Sequence, residues 1–349
     1  MSFNHPVFKT FLPAHGGALN AAAEFFNIPR ENWLDISTGI NPTSWPVPQI
    51  PTRIWQRLPE ERLDGNESLE HAALEHYLNF KQLNVNKSDS HLSNKKSRQE
   101  DFQITATNIL PCAGSQQGIR LLPFLYAAHQ HGRKHEAKVW VTSGSYAEHS
   151  IAWEEQGHRV RKVACDKISD LLTQQPVDVL ILLNPDNPSG HRWPAEQLLK
   201  WWSILHRRGG WLIVDEAFMD MTPEHSIANS AEREGLFVLR SLGKFFGLAG
   251  VRLGFVVAAE KNIQRLRKML GPWSVSHPAQ YIGRLALQDT AWVNQQRYDL
   301  SKQSLRLATL IEHHSRCQCE GTDLFQTVYH EKSESLSVST TGHISTLFT

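Results

Sequence analysis

The chain has 349 residues, with 36 Lys and Arg against 35 Asp and Glu, a net charge of +1 and 40% hydrophobic residues. A balance so near neutrality argues against a nucleic-acid or membrane-surface partner, and no apolar run reaches the roughly 18 residues of a membrane span. Residues 1–17 carry no signal-peptide core, so the expected location is the cytoplasm, and the length is enough for two domains.

Residues 1–50 read as an arm and loop. They hold His15-Gly16-Gly17, a short helix around 21–26, and the turn-rich Ser37-Thr38-Gly39-Ile40-Asn41-Pro42. A helical pattern follows over 67–80, with Leu69, Ala72, Ala73 and Tyr77 on one face. From about 84 to 103 the chain turns polar and reads as a surface insertion. Strands and helices then alternate. Strands are expected at 108–111, 138–141, 177–183, 211–214 and 236–239, with helices ending near 129, 155 and 206. Apolar strands separated by helices predict an α/β fold with a mostly parallel sheet covered on both faces. Helical patterns over 262–269 and 279–313 open a smaller second domain. The expected division is an N-terminal arm at 1–50 that contributes to the small domain, a large domain at 51–265, and a small domain at 266–349.

Four cysteines, Cys112, Cys165, Cys317 and Cys319, are too few and too scattered for a disulfide framework. The Cys317-Gln318-Cys319 spacing matches no usual zinc pair, and none of the 18 histidines lies in a His-Glu-x-x-His motif. No metal is expected.

The candidate site lies in the polar residues that end these strands, the rim where α/β folds bind ligands. The 236–239 strand feeds Ser241-Leu242-Gly243-Lys244-Phe245-Phe246-Gly247, and Arg252 comes eight residues after the lysine. A lysine amine, with an ordinary pKa of about 10.4, becomes a nucleophile only where its surroundings favour the neutral form. Aromatic walls and a nearby cation push it that way, which suits imine chemistry. Ser241 and Arg252 offer a phosphate two sides. Gly114, Ser115 and Gln116 open a helix, where free N–H groups suit a phosphate as well as a plain cap. Asp215 ends a strand buried on both faces; it either caps a loop or pairs with a protonated ring nitrogen. Asn187, between two prolines, either reaches a phenolate oxygen or closes an Asx turn. Tyr146 either lies on a flat ring or belongs to the core. One guest satisfies the whole set: a flat, phosphorylated aldehyde with a basic ring nitrogen, pyridoxal phosphate.

Three stretches carry a family resemblance: 184–190 (Asn-Pro-Asp-Asn-Pro-Ser-Gly), 215–218 (Asp-Glu-Ala-Phe), and 241–252 (Ser-Leu-Gly-Lys through to Arg). In that order and spacing they resemble the class I/II aminotransferase group of fold-type-I pyridoxal-phosphate enzymes. Within it, 15–17, 33–42, 144–149, 240–247 and 271–273 look like the threonine-phosphate decarboxylase branch of cobalamin biosynthesis. The resemblance spans roughly 15–325.

It implies that Lys244 forms the imine with pyridoxal 5'-phosphate and that Asp215 pairs with the pyridine nitrogen. Asn187 would bond the ring oxygen and Tyr146 would stack. Gly114, Ser115, Gln116, Ser241 and Arg252 would hold the phosphate. His15, Thr38, Gly39 and Asn41 would face the substrate, a phosphorylated amino acid. The implied reaction is loss of CO2 from L-threonine O-3-phosphate, in a homodimer. A histidinol-phosphate-type aminotransferase is the alternative enzyme, and a cofactor-binding protein without turnover is a third reading.

The chain departs from the pattern at three places. Phe218 stands where relatives commonly have Tyr, and Leu58-Pro59 where many have Tyr-Pro. The stretch 342–349 has Thr346 near an expected arginine, so the carboxylate-gripping arginines look absent and the small domain shortened.

Overall fold

The structure, a computed structural model, describes residues 16–60, 68–78, 104–129, 136–315 and 318–329. His15, the insertion expected at 84–103, Cys317 and the stretch holding Thr346 lie outside the described residues.

Seven strands form the central sheet. They are β1 (Ile109–Cys112), β2 (Lys138–Thr142), β3 (Arg159–Val163), β4 (Val179–Leu183), β5 (Trp211–Asp215), β6 (Leu236–Ser241) and β7 (Gly254–Ala258). Their order across the sheet is β1-β7-β6-β5-β4-β2-β3. β3, β2, β4, β5 and β6 pair in parallel, and β7 runs antiparallel to both β6 and β1.

Every residue of β4, β5, β6 and β7 is buried, which is why these strands read as unbroken apolar runs. Alternate residues feed two cores. Leu180, Leu182, Leu212 and Val214 pack with Leu198, Trp201 and Leu205 of the helix Ala195–His206 on one face. Val179, Ile181 and Ile213 pack on the other face with Ile119 and Leu122 of the helix Ser115–His129 and Trp153 of Glu148–Glu155. The mostly parallel sheet with two covered faces is the one expected.

Three details differ from the sequence expectation. β3 and the helix Ile168–Gln174 are additional elements; β3 is an edge strand whose exposed Arg159, Arg161 and Lys162 break up any apolar run. β7 is additional too. The helical pattern over 279–313 is two helices, His277–Gln288 and Thr290–Ser315. Asp289 breaks it by capping the second: its Oδ1 accepts from the Trp292 N–H at 3.0 Å, and its Oδ2 accepts from Trp45 Nε1 at 3.0 Å. The helix Glu260–Leu270 spans the expected boundary at 265/266, and its Ile263, Leu266 and Leu270 pack against the sheet.

A hairpin, β8 (Gln318–Thr322) with β9 (Phe325–Tyr329), follows the last helix. Thr327 is buried there and donates its hydroxyl to the Pro188 carbonyl at 2.6 Å, which seats the hairpin beside the turn after β4.

Candidate active site

The carboxyl ends of β2, β4, β5 and β6 share one rim, and a cavity of about 540 Å³ opens over it. Lys244, Ser241 and Arg252 reach it from β6 and the loop beyond, and Asp215 from β5. Asn187 comes from the turn after β4 and Tyr146 from the turn after β2. Gly114, Ser115 and Gln116 enter at the start of the helix Ser115–His129, and Thr38 and Gly39 from the N-terminal loop. Residues as distant in the chain as Tyr146 and Lys244 thus converge, because parallel strands deliver their ends to one side.

Asn41, by contrast, stays out of the lining. Its N–H donates to the Lys244 carbonyl at 3.1 Å and its Nδ2 to the Phe245 carbonyl at 2.8 Å. It holds the lysine loop from behind.

Lys244 is partly buried, with its Nζ 5.1 Å from the centre of the Phe218 ring. Burial lowers the pKa of its amine below the usual lysine value; Asp215 opposes that shift and Arg252 adds to it. Phe218 meets Phe325 of β9 edge-on, with ring centres 4.9 Å apart, so the wall beside the amine is apolar on two layers.

Asp215 is 5% exposed. Its Oδ1 accepts from the Ala217 N–H at 3.0 Å, and its Oδ2 lies 2.9 Å from His149 Nε2. No Lys or Arg of the described residues forms an ion pair with it. His149 is fully buried, and its Nδ1 has no hydrogen-bond partner among the described residues. Sequence reasoning missed this histidine as a site residue. The signal was its place three residues after Tyr146, in the first turn of the helix Glu148–Glu155 that follows the β2 rim.

The opposite end of the cavity is a cradle for an anion. Gly114 has φ +79, and a Cβ there would come within 2.8 Å of an Arg252 guanidinium nitrogen. Gly254 at the start of β7 lets the helix start approach: a Cβ would lie 2.4 Å from the Ser115 nitrogen. The Gln116 side chain bonds Glu148 and accepts from Tyr146 Oη at 3.4 Å, so it braces the tyrosine. Hydroxyls of Ser115 and Ser241, the Arg252 guanidinium and the helix N-terminus are a donor set suited to a phosphate. With Asp215 and Lys244 in the same cavity, the lining fits pyridoxal 5'-phosphate from end to end.

A family model described as aminotransferase class I and II matches residues 31–325. The chain belongs to this family. It is therefore an enzyme of the fold-type-I, pyridoxal-phosphate-dependent group. A threonine-phosphate decarboxylase of Pseudomonas aeruginosa is 39% identical over 312 residues, covering 89% of this chain and 82% of the relative. A threonine-phosphate decarboxylase of a Sinorhizobium species is 37% identical over 276 residues, covering 78% and 71%. Among solved structures, the histidinol-phosphate aminotransferase from Sinorhizobium meliloti in complex with pyridoxal-5'-phosphate shares the fold. Its TM-score is 0.67 at 19% identity, with 96% of this chain and 84% of that chain covered. Among the described residues no helix is long and apolar enough to cross a membrane.

Proposed function

We propose that this aminotransferase-family enzyme decarboxylates L-threonine O-3-phosphate to (R)-1-amino-2-propanol O-2-phosphate, in cobalamin biosynthesis, in the cytoplasm. The observation that carries the reading is a convergence in one cavity. A partly buried lysine with a lowered pKa, an arginine cradle and a carboxylate with no Lys or Arg partner among the described residues all meet there. The relatives named above point the same way. Bound pyridoxal phosphate supplies the sink for the electron pair left when CO2 departs.

The chain's own residues do the rest. Ser241, Arg252, Ser115 and the N–H groups of Ser115 and Gln116 at the helix start would anchor the phosphate end, with Gly114, its own N–H bonded to the Cys112 carbonyl at 2.7 Å, leaving room for it. Asp215 would hold the ring-nitrogen proton in place, with His149 fixing the carboxylate at 2.9 Å. Tyr146 would cover a face of the ring, and Asn187 would bond its oxygen. Lys244, whose lowered pKa makes its ammonium form a stronger acid, would donate the proton that replaces CO2 on the substrate's α-carbon, that proton coming from the substrate's own ammonium group. Thr38 and Gly39 lie over the substrate side.

The homodimer belongs to the same proposal. A groove of about 580 Å³ lies beside Gly250 and Val251, just before Arg252, and exposes Trp55, Leu58 and Trp273. Sedimentation velocity measures the dimer directly. The large domain at 51–265 with a smaller one from 1–50 and 266–349 is likewise proposed, and limited proteolysis tests it.

The decisive experiment follows CO2 from carboxyl-labelled L-threonine O-3-phosphate with cofactor-loaded protein. Release that requires Lys244 supports the decarboxylase. A second reading, a histidinol-phosphate-type aminotransferase, draws on the fold shared with the Sinorhizobium meliloti enzyme. It predicts no CO2 but conversion of bound cofactor to its amine form by an amino donor. Neither result, with cofactor bound, leaves a protein without turnover.

A further inference from the structure

Asp186 precedes Asn187 in the turn after β4, lies outside the cavity lining and is 2% exposed. Both of its carboxylate oxygens are taken by hydroxyls. Oδ1 accepts from Ser145 Oγ, and Oδ2 accepts from Ser189 Oγ at 2.6 Å. Ser145 Oγ is also 2.5 Å from Thr142 Oγ1, at the end of β2. The backbone of Asp186 is held within its own turn: its N–H donates to the His191 carbonyl at 2.8 Å and its carbonyl accepts from the Gly190 N–H at 2.8 Å.

A carboxylate buried among hydroxyls alone is a costly way to bridge them, because a neutral amide of the same shape loses less hydration. What the charge adds is bond strength, since a hydroxyl bonds an ionised carboxylate more tightly than a neutral oxygen. The position of that strong link is informative. Ser145 is the residue before Tyr146, and Asp186 is the residue before Asn187. The two turns come from different strands, β2 and β4, and each presents its next residue to the cavity.

We propose that Asp186 is a positioning residue: through Ser145 it fixes the spacing between the Tyr146 ring and the Asn187 amide, and so the tilt of the cofactor ring between them. The inference rests on the reading of the cavity as a pyridoxal-phosphate site. Ser189 serves as the internal control, because its bond to Asp186 stays within one turn and ties nothing across the site.

The test titrates pyridoxal 5'-phosphate into the apo forms of the wild type, Asp186→Asn, Asp186→Ala, Ser145→Ala and Ser189→Ala. It records the dissociation constant, the visible circular dichroism of the bound cofactor and the thermal midpoint of each apo protein. Ser145→Ala and Asp186→Ala are expected to weaken cofactor binding about tenfold and to change the visible dichroism per bound cofactor. Asp186→Asn, which keeps an oxygen toward Ser145, should lose less. Ser189→Ala should stay within about twofold of the wild type with its dichroism intact. Should Ser145→Ala and Ser189→Ala both lower the thermal midpoint alike and leave affinity and dichroism at wild-type values, Asp186 has only a structural role. That result overturns the inference while wild-type binding upholds the cofactor site; a wild type that binds no cofactor overturns both.

Discussion

Asp215 and Glu216 are neighbours at the end of β5 and both are buried, but their surroundings have little in common. Asp215 faces the cavity, with one histidine and one backbone N–H as partners. Glu216 is fully enclosed. It accepts from Arg240 Nη1 at 2.9 Å, from the Ile227 N–H at 2.9 Å and from Ser226 Oγ at 2.5 Å. Arg240 bonds Asp220 as well, at 3.1 Å, and lies 4.3 Å from the centre of the Tyr77 ring. Asp220 is 3.0 Å from His76, and its carbonyl accepts from Arg297 Nε at 2.6 Å.

Burial pushes the Glu216 pKa up against the pull of Arg240. At Asp220 burial works the same way, but Arg240 and His76 outweigh it and hold the carboxyl below its usual range. In the second cluster the protein supplies the partners of its own charges, and the result ties β5, β6 and two helices together behind the lysine loop. In the first it leaves one side of a carboxylate open, and that side is where a cationic guest belongs.

The sharpest way to break this contrast starts at the cavity. Lys244→Ala should abolish the visible band of bound cofactor and all CO2 release, while leaving the circular dichroism of the fold unchanged. Asp215→Asn should lower turnover about a hundredfold or more, the scale of losing one strong electrostatic contact in a site. Its stability in urea unfolding should change by no more than about 1 kcal/mol. Arg240→Leu should do the reverse. It strands two buried carboxylates, and a loss of about 3–5 kcal/mol is expected in urea unfolding. A stability loss at Asp215 as large as that at Arg240 would erase the distinction.

A smaller effect concerns pH. Burial lowers the His76 pKa below its ordinary value of 6.5, and the Asp220 carboxylate only partly restores it. The unfolded chain therefore takes up a proton at a pH where the folded chain keeps His76 neutral. Stability should fall as the pH drops below about 6.5, by up to roughly 1.4 kcal/mol per pH unit, until the folded chain takes up the proton as well. His76→Gln, which can still bond Asp220, should flatten the stability profile between about pH 7 and 5 relative to the wild type. An unchanged slope would show that His76 is not the group responsible.

Much of the candidate site was legible because its residues sit at the ends of apolar strands, and both features are local. Val-Leu-Ile-Leu-Leu before Asn184, Trp-Leu-Ile-Val before Asp215 and Leu-Phe-Val-Leu before Arg240-Ser241 declare buried strands by composition alone. The polar residues that follow them then fall on one rim, because parallel strands share a direction. The cofactor cradle, Lys244, Asp215, Tyr146 and Asn187 all line the cavity for that reason.

Other features depend on partners far away in the chain. Nothing near Asn41 says that its amide bonds the Phe245 carbonyl, 204 residues on, rather than facing substrate. His149 was one histidine among 18 until the fold set it 2.9 Å from Asp215. Asp289 interrupts an otherwise helical pattern by capping the helix that follows, and Trp45 fixes it there. The antiparallel return of β7 and the link from Asp186 to Ser145 were equally hidden. Composition and spacing determined which segments are strands and which residues crown them, because burial and backbone preference act along the chain. Which crowning residues face the cavity and which brace the wall behind it was decided only by tertiary contacts, because hydrogen-bond partners are chosen in space.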